Sequence, residues 1–193
     1  MQPRLYTVTE IAEEICRADR LQLSDHATAH SQVRNAVRRG MLKSGRQVDK
    51  RGTQAFPAIE IYRARILNAL ADLSMDISAI SEPLQAAFDD TQPIQLPARC
   101  DVGGAFIWRG FADVVRGPAA GEQWHLIFKL FKPGYTEGKR LQARFVWVDA
   151  PDAKKTIEAE TFVEGVKGTG SPHVTVTLNL NDLFAGLPAL EDA

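Results

Sequence analysis

The sequence predicts an α+β protein in two parts, a helical N-terminal domain followed by an antiparallel β-rich domain. Three observations carry that reading. Apolar residues before position 88 recur at helical spacing, whereas those after position 98 mostly alternate with a period of two. The stretch between, Asp-Asp-Thr-Gln-Pro-Ile-Gln-Leu-Pro, has two prolines and no periodicity, so residues 89–98 read as a linker between domains 1–88 and 99–193. Basic charge, finally, is gathered in the first part. Positions 26–65 hold nine Arg and Lys against Asp49 and Glu60, a local charge of +7 in a chain whose net charge is -1.

The first helix is expected to start at a Thr9 cap, with Glu10 at its positive end and Ile11, Ala12 and Ile15 on one face. Residues 19–27 are polar and read as a loop. Ser24 or Asp25 caps a second helix that runs to Gly40, a residue suited to the position just past a helix end. On that helix Ala29, Val33, Ala36 and Val37 fall on one arc, and Ser31, Gln32, Arg34, Asn35, Arg38 and Arg39 on the other. His30 lies at the edge of the apolar arc, where packing is its expected role. Segments 41–48 and 53–56 flank the turn-prone Asp-Lys-Arg-Gly and predict a β-hairpin. A third helix begins near Pro57 with Ile59, Tyr62, Ile66, Leu70 and Leu73 as its apolar stripe. Asp76 opens a short fourth helix that Pro83 interrupts or restarts.

A helix, a basic helix, a basic hairpin and a further helix pair make a winged helix-turn-helix. Short motifs in the same order resemble the MerR type of bacterial transcription regulator. Thr7-Val8-Thr9-Glu10-Ile11-Ala12 is similar to the segment opening that family's first helix, and Val33-Arg34-Asn35-Ala36-Val37-Arg38-Arg39-Gly40-Met41-Leu42 to the end of its recognition helix. Leu73-Ser74-Met75-Asp76-Ile77-Ser78-Ala79-Ile80 approximates a third signature. The resemblance spans roughly residues 5–85 and implies a head that binds duplex DNA. It departs at the long segment from Cys16 to Ala29 and in lacking the aromatic pair after Arg34. Pro83, Pro93 and Pro97 stand where the family has a long dimerising helix. Promoter twisting and metal sensing therefore do not carry over; excisionase-like and phage-type winged helices share the remaining features.

If the head reads DNA, its second helix supplies Ser31, Gln32, Arg34, Asn35, Arg38 and Arg39 to the major groove. Arg suits guanine O6 and N7 or a phosphate, and Asn or Gln suits adenine. Arg46, Lys50 and Arg51 on the hairpin form the wing, with Lys43 and Arg63 as backbone contacts. The competing reading is a solvated helical face.

In the second half Trp124, Leu126, Phe128 and Leu130 alternate, as do Leu141, Ala143, Phe145 and Trp147, with Pro133-Gly134 and Glu137-Gly138 marking an antiparallel turn. Val174, Val176, Leu178 and Leu180 form a third strand, and Asn181 or Asp182 caps a short closing turn. One apolar and one polar face are expected for this sheet. His125 and His173 are isolated, Asp149 and Asp152 with Lys154 and Lys155 read as a charged loop, and Gly103-Gly104 lacks the rest of a dinucleotide fingerprint. No catalytic residue, metal ligand or cofactor is expected, so the chain reads as a non-enzyme. Cys16 and Cys100 are too few for a disulfide framework.

No apolar run approaches the roughly 18 residues that cross a bilayer, and the N-terminus lacks the apolar core of a secretory signal, which predicts a cytoplasmic protein without a membrane partner. The expected partners are double-stranded DNA and a second copy joined through the β domain, with room there for a small-molecule or protein effector. The alternative is an interaction or assembly protein, phage-type or nucleoprotein, in which the winged helix is scaffold and the β domain docks a partner.

Overall fold

The computed structural model describes residues 4–21, 25–43, 46–50, 52–95, 106–130, 141–148 and 174–190. It is a mixed α+β protein whose paired strands are all antiparallel among the described residues. Two compact units are present. The first joins residues 1–81 to residues 183–193, and the second is 82–182.

In the first unit, β1 (Leu5–Thr7) leads directly into α1 (Val8–Ala18). The cap of α1 is Thr7 and not Thr9. Thr7 Oγ1 accepts from the Glu10 amide at 3.3 Å while the Thr7 amide donates to Glu10 Oε2 at 2.7 Å, a reciprocal box. Glu10 stands three residues after Thr7, whereas Ala12 stands three after Thr9 and can return nothing. These bonds from Thr7 hold the Glu10 carboxyl below its usual range.

The second helix, α2 (His26–Arg38), begins after Asp25, whose side chain makes no capping bond; Ser24 lies outside the described residues. It ends as its sequence asks. Gly40 takes φ +69°, the Gly40 amide donates to Val37 O at 2.9 Å, and the Met41 amide donates to Ala36 O at 2.9 Å. Met41 and Leu42 turn into the core at 2% and 4% exposure, which removes them from the expected strand 41–48. Among the described residues the hairpin is reduced to a bridge from Gln47 to Gln54, flanked by bonds from the Val48 amide to Thr53 O and from the Ala55 amide to Arg46 O.

β2 (Ala55–Pro57) instead pairs with β1, Tyr6 opposite Phe56. Pro57 therefore ends a strand, and α3 (Ile59–Asp72) starts two residues later than expected. The core between α1, α2 and α3 is built from Ile11, Ile15, Val33, Phe56, Ile61, Ile66 and Leu70, none more than 1% exposed. Leu73 is 56% exposed and does not belong to the stripe, because α3 has already ended there. The C-terminal segment completes this unit. Phe184 meets Tyr62 edge to face at 4.9 Å, and the Tyr62 hydroxyl donates to Pro188 O at 2.6 Å.

The division between units falls within α4 (Ile77–Asp89), which continues through Pro83 rather than stopping there. The expected linker contains a strand, β3 (Gln92–Gln95), paired with β4 (Phe106–Arg109); residues 96–98 lie outside the described set. A short helix, α5 (Phe111–Arg116), and a 3-10 turn over Gly117–Ala120 follow. The main sheet has β5 (Gln123–Leu130) at its centre, with β6 (Leu141–Val148) on one side and β7 (Val174–Asn179) on the other. The turn expected at positions 133–138 and the loop at 149–155 lie outside the described residues, as do His173 and Cys100. The closing helix α6 (Leu180–Phe184) is entered from Asn179, whose Oδ1 accepts from the Asn181 amide at 3.1 Å, so neither Asn181 nor Asp182 is its cap.

Period-two alternation placed these three strands correctly; the polar face is present on β7, where Thr175, Thr177 and Asn179 are exposed, but fails on β5 and β6. Trp124, Leu126 and Phe128 are buried on one face, and Ile127, Val146 and Val148 are buried on the other. His125 shares that second face, and its Nδ1 is enclosed without a hydrogen-bond partner. Burial pushes the His125 pKa below its ordinary 6.5, with Asp182 acting weakly in the opposite direction. The unfolded chain takes up this proton near pH 6.5 and the folded chain resists it, so folding stability is expected to fall as the pH drops below 6.5. Urea denaturation at pH 7.5 and pH 5 checks this: His125→Gln should lose part of the acid sensitivity of the parent.

Candidate nucleic-acid interface

Helix α2 is an amphipathic helix with no acidic residue in its length. Ala29, Val33 and Ala36 are buried at 4%, 0% and 6%, and the opposite side is set by that anchoring. Ser31, Arg34, Asn35 and Arg38 are exposed there, with Arg34 and Arg38 one turn apart. Val37, expected on the buried arc, is only half-buried, as is His30. Arg34, Arg38 and Arg39 form no ion pair among the described residues, so their charge is not spent inside the protein.

Gln32 faces sideways. Its Nε2 donates to Asp72 Oδ1 of α3 at 3.4 Å, and with Asn35 and Arg39 it borders a shallow depression of about 140 Å³ against Leu67, Asn68 and Ala71. Gln32 is therefore tied to the scaffold of the unit rather than projecting with Arg34.

The chain after α2 carries the remaining charge outward. Lys43, Arg46 and Lys50 are exposed, while Arg51 lies outside the described residues. The turn beneath them is closed by Asp49, whose carboxylate accepts from the Thr53 amide at 2.9 Å and from the Thr53 hydroxyl at 2.7 Å. Gly52 at φ +84° completes it, a conformation that favours glycine. Asp49, one of two acids in the basic block, is thus consumed in holding the turn.

Arg63 is a correction. It is 6% exposed and pairs with Glu60 at 3.2 Å, so it cannot lie on a phosphate as expected. The reason is visible in the spacing: Glu60 and Arg63 stand one turn apart on the core side of α3. Glu60, which sequence reasoning left as a stray acid, is the residue that anchors the segment after α2. Its Oε2 accepts from the Lys43 amide at 3.1 Å.

No protein-family model, characterised protein or solved structure matches this chain. The candidate interface therefore rests on its own geometry and charge. Elsewhere in this unit, α3 presents Arg65, Asn68 and Asp72 along one face, and Arg65 binds the α1 end through Asp19 at 2.7 Å. Burial raises the Asp19 carboxyl pKa, and Arg65 opposes that shift. A polar spacing of three and four on an otherwise apolar helix was the available sequence signal for this face. In the second unit His125 is half-buried and lies opposite Val146 and Asn179 in the sheet. Among the described residues no group of three His, Cys, Asp or Glu side chains could hold a metal ion, and no helix is long and apolar enough to cross a membrane.

Proposed function

We propose that this chain is a duplex-DNA-binding regulator whose first unit acts as a winged helix-turn-helix. In this reading α2 enters the major groove and the 46–54 turn is the wing. The supporting observation is the exposed ridge of α2, where Arg34 and Arg38 stand opposite Ala29, Val33 and Ala36 with no acid on the helix. Ser31 and Asn35 flank them as base-edge donors and acceptors, and Arg39, Lys43, Arg46 and Lys50 contribute phosphate affinity.

The test is fluorescence anisotropy on duplex DNA at two salt concentrations. Arg34→Ala and Arg38→Ala should each cost about 1–3 kcal/mol of binding, roughly 5- to 150-fold, and leave thermal stability within about 0.5 kcal/mol. A base-reading Arg relaxes preference at one position, whereas loss of a phosphate contact lowers affinity for every sequence and flattens the salt slope by about one unit. Affinity unchanged in both variants would refute this role for α2.

The same reading calls for two heads on one duplex, about 34 Å apart. β7 is an edge of its sheet among the described residues, with Thr175, Thr177 and Asn179 exposed, and it is the element proposed to pair with its copy. Light scattering on the full chain should return a dimer mass, and a monomer across the working range would sink the idea. A truncation near Asp90 is a poor comparison, since it would strip Phe184 and Pro188 from Tyr62.

One observation favours the rival reading of an interaction or assembly protein: Trp108 of β4 is 70% exposed. That reading expects weak DNA affinity with no sequence preference, so the salt dependence and competition by unrelated duplex separate the two.

A further inference from the structure

Helix α2 opens with His26-Ala27-Thr28-Ala29-His30, two histidines four residues apart. Every residue from 26 to 30 is helical, so the two imidazoles leave the same side of α2 one turn apart, with Cβ atoms about 5–6 Å from each other. The residues between them do not intrude. Ala27 and Thr28 are small and exposed, and Ala29 turns into the core at 4% exposure.

A shared face alone would not make a site. The independent sign is that the protein uses neither imidazole. Both residues are partly buried, yet neither His26 nor His30 forms a hydrogen bond, an ion pair or a ring contact. Their ring nitrogens also stay open to solvent, unlike the enclosed Nδ1 of His125. Two such nitrogens held on a rigid element are arranged as ligands for something outside the chain.

Imidazole chemistry selects that ligand. Neutral imidazole nitrogen suits zinc, copper and nickel, whereas magnesium and calcium take oxygen donors. Metal–nitrogen bonds of about 2.0–2.1 Å let two imidazoles one helical turn apart converge on one ion, as paired histidines at this spacing do for zinc. Among the described residues no third His, Cys, Asp or Glu side chain joins them. The ion would thus be held at two positions with the others open to water, which suits the tetragonal preference of copper and nickel. The positive end of the helix dipole works against a cation here, so the hold depends on both nitrogen–metal bonds together.

We propose that His26 and His30 form a two-ligand chelate for a late first-row divalent metal ion on the first turn of α2. This does not depend on the DNA-binding reading, and the test contains no DNA. Isothermal titration of nickel chloride into the untagged full chain, in a non-chelating buffer at pH 7.5, should give saturable one-to-one binding. His26→Gln and His30→Gln should each bind about 100-fold more weakly, because the second imidazole acts at high effective concentration once the first is bound. Circular dichroism confirms that both variants are folded, and His125→Gln should keep the parental affinity. Saturating nickel should also raise the melting temperature of the parent, whose α2 is clamped across one turn, and leave that of both variants unmoved. Three results overturn the proposal: no saturable heat at millimolar nickel, parental affinity in either folded single variant, or equal binding of magnesium.

Discussion

Glu60→Ala should destabilise the first unit by about 3–5 kcal/mol, enough to unfold a marginal domain at physiological temperature. Glu60 is 2% exposed and holds Arg63 at 3.2 Å, so the substitution removes this carboxylate from a buried guanidinium. It also removes the acceptor for the Lys43 amide, the point at which the chain leaves α2 for the basic turn. Glu60→Gln keeps an acceptor for Lys43 and should fall between parent and alanine variant. Chemical denaturation of the three proteins measures the order. A loss below about 1 kcal/mol for Glu60→Ala would mean that the ion pair is not holding this segment.

Gly117→Ala should cost the second unit about 2–5 kcal/mol, although alanine is ordinarily the better residue in a helical turn. A Cβ at Gly117 would lie inside 3.0 Å of Trp124 Nε1 and of Glu122 Oε2. Neither can retreat cheaply. Trp124 is fully buried and stacked on Trp147 at 5.8 Å, and its indole N–H donates to Glu122 Oε2 at 2.9 Å. Overpacking of this kind costs about 1–3 kcal/mol, and breaking the enclosed hydrogen bond adds a comparable amount. Near-ultraviolet circular dichroism should lose tryptophan signal together with the drop in melting temperature. An unchanged spectrum and melting point would show that the contact relaxes freely.

Elements with a strong local period were legible without coordinates. The ridge of α2 and the strands β5, β6 and β7 follow from side-chain alternation that no other arrangement could bury. What escaped was pairing across long sequence distance. Ala55 to Pro57 has the pattern of a hairpin strand, but its partner is Leu5–Thr7, because Met41 and Leu42 are worth more in the core than in a ladder. The proline-rich stretch concealed β3 for a related reason: a strand of four residues at the margin of a sheet needs little periodicity. At the candidate interface, charge predicted which residues are basic but not which are spent. Arg63 and Asp49 looked equally available in sequence, and one is buried with Glu60 while the other closes a turn.

The contact of Phe184 and Pro188 with Tyr62 has a consequence for synthesis. Chains leave the ribosome from the N-terminus at about 5–20 residues per second, and units generally fold as they emerge. The first unit cannot do so completely. Residues 1–81 are exported long before residues 183–190, so the nascent unit waits with Tyr62 uncovered while the whole of 82–182 is translated. Its last contact closes over a separation of 126 residues, a slow kind of closure compared with the local helical contacts that precede it. A nascent chain stalled near residue 180 should therefore expose its N-terminal unit to protease, and a chain released after residue 190 should protect it.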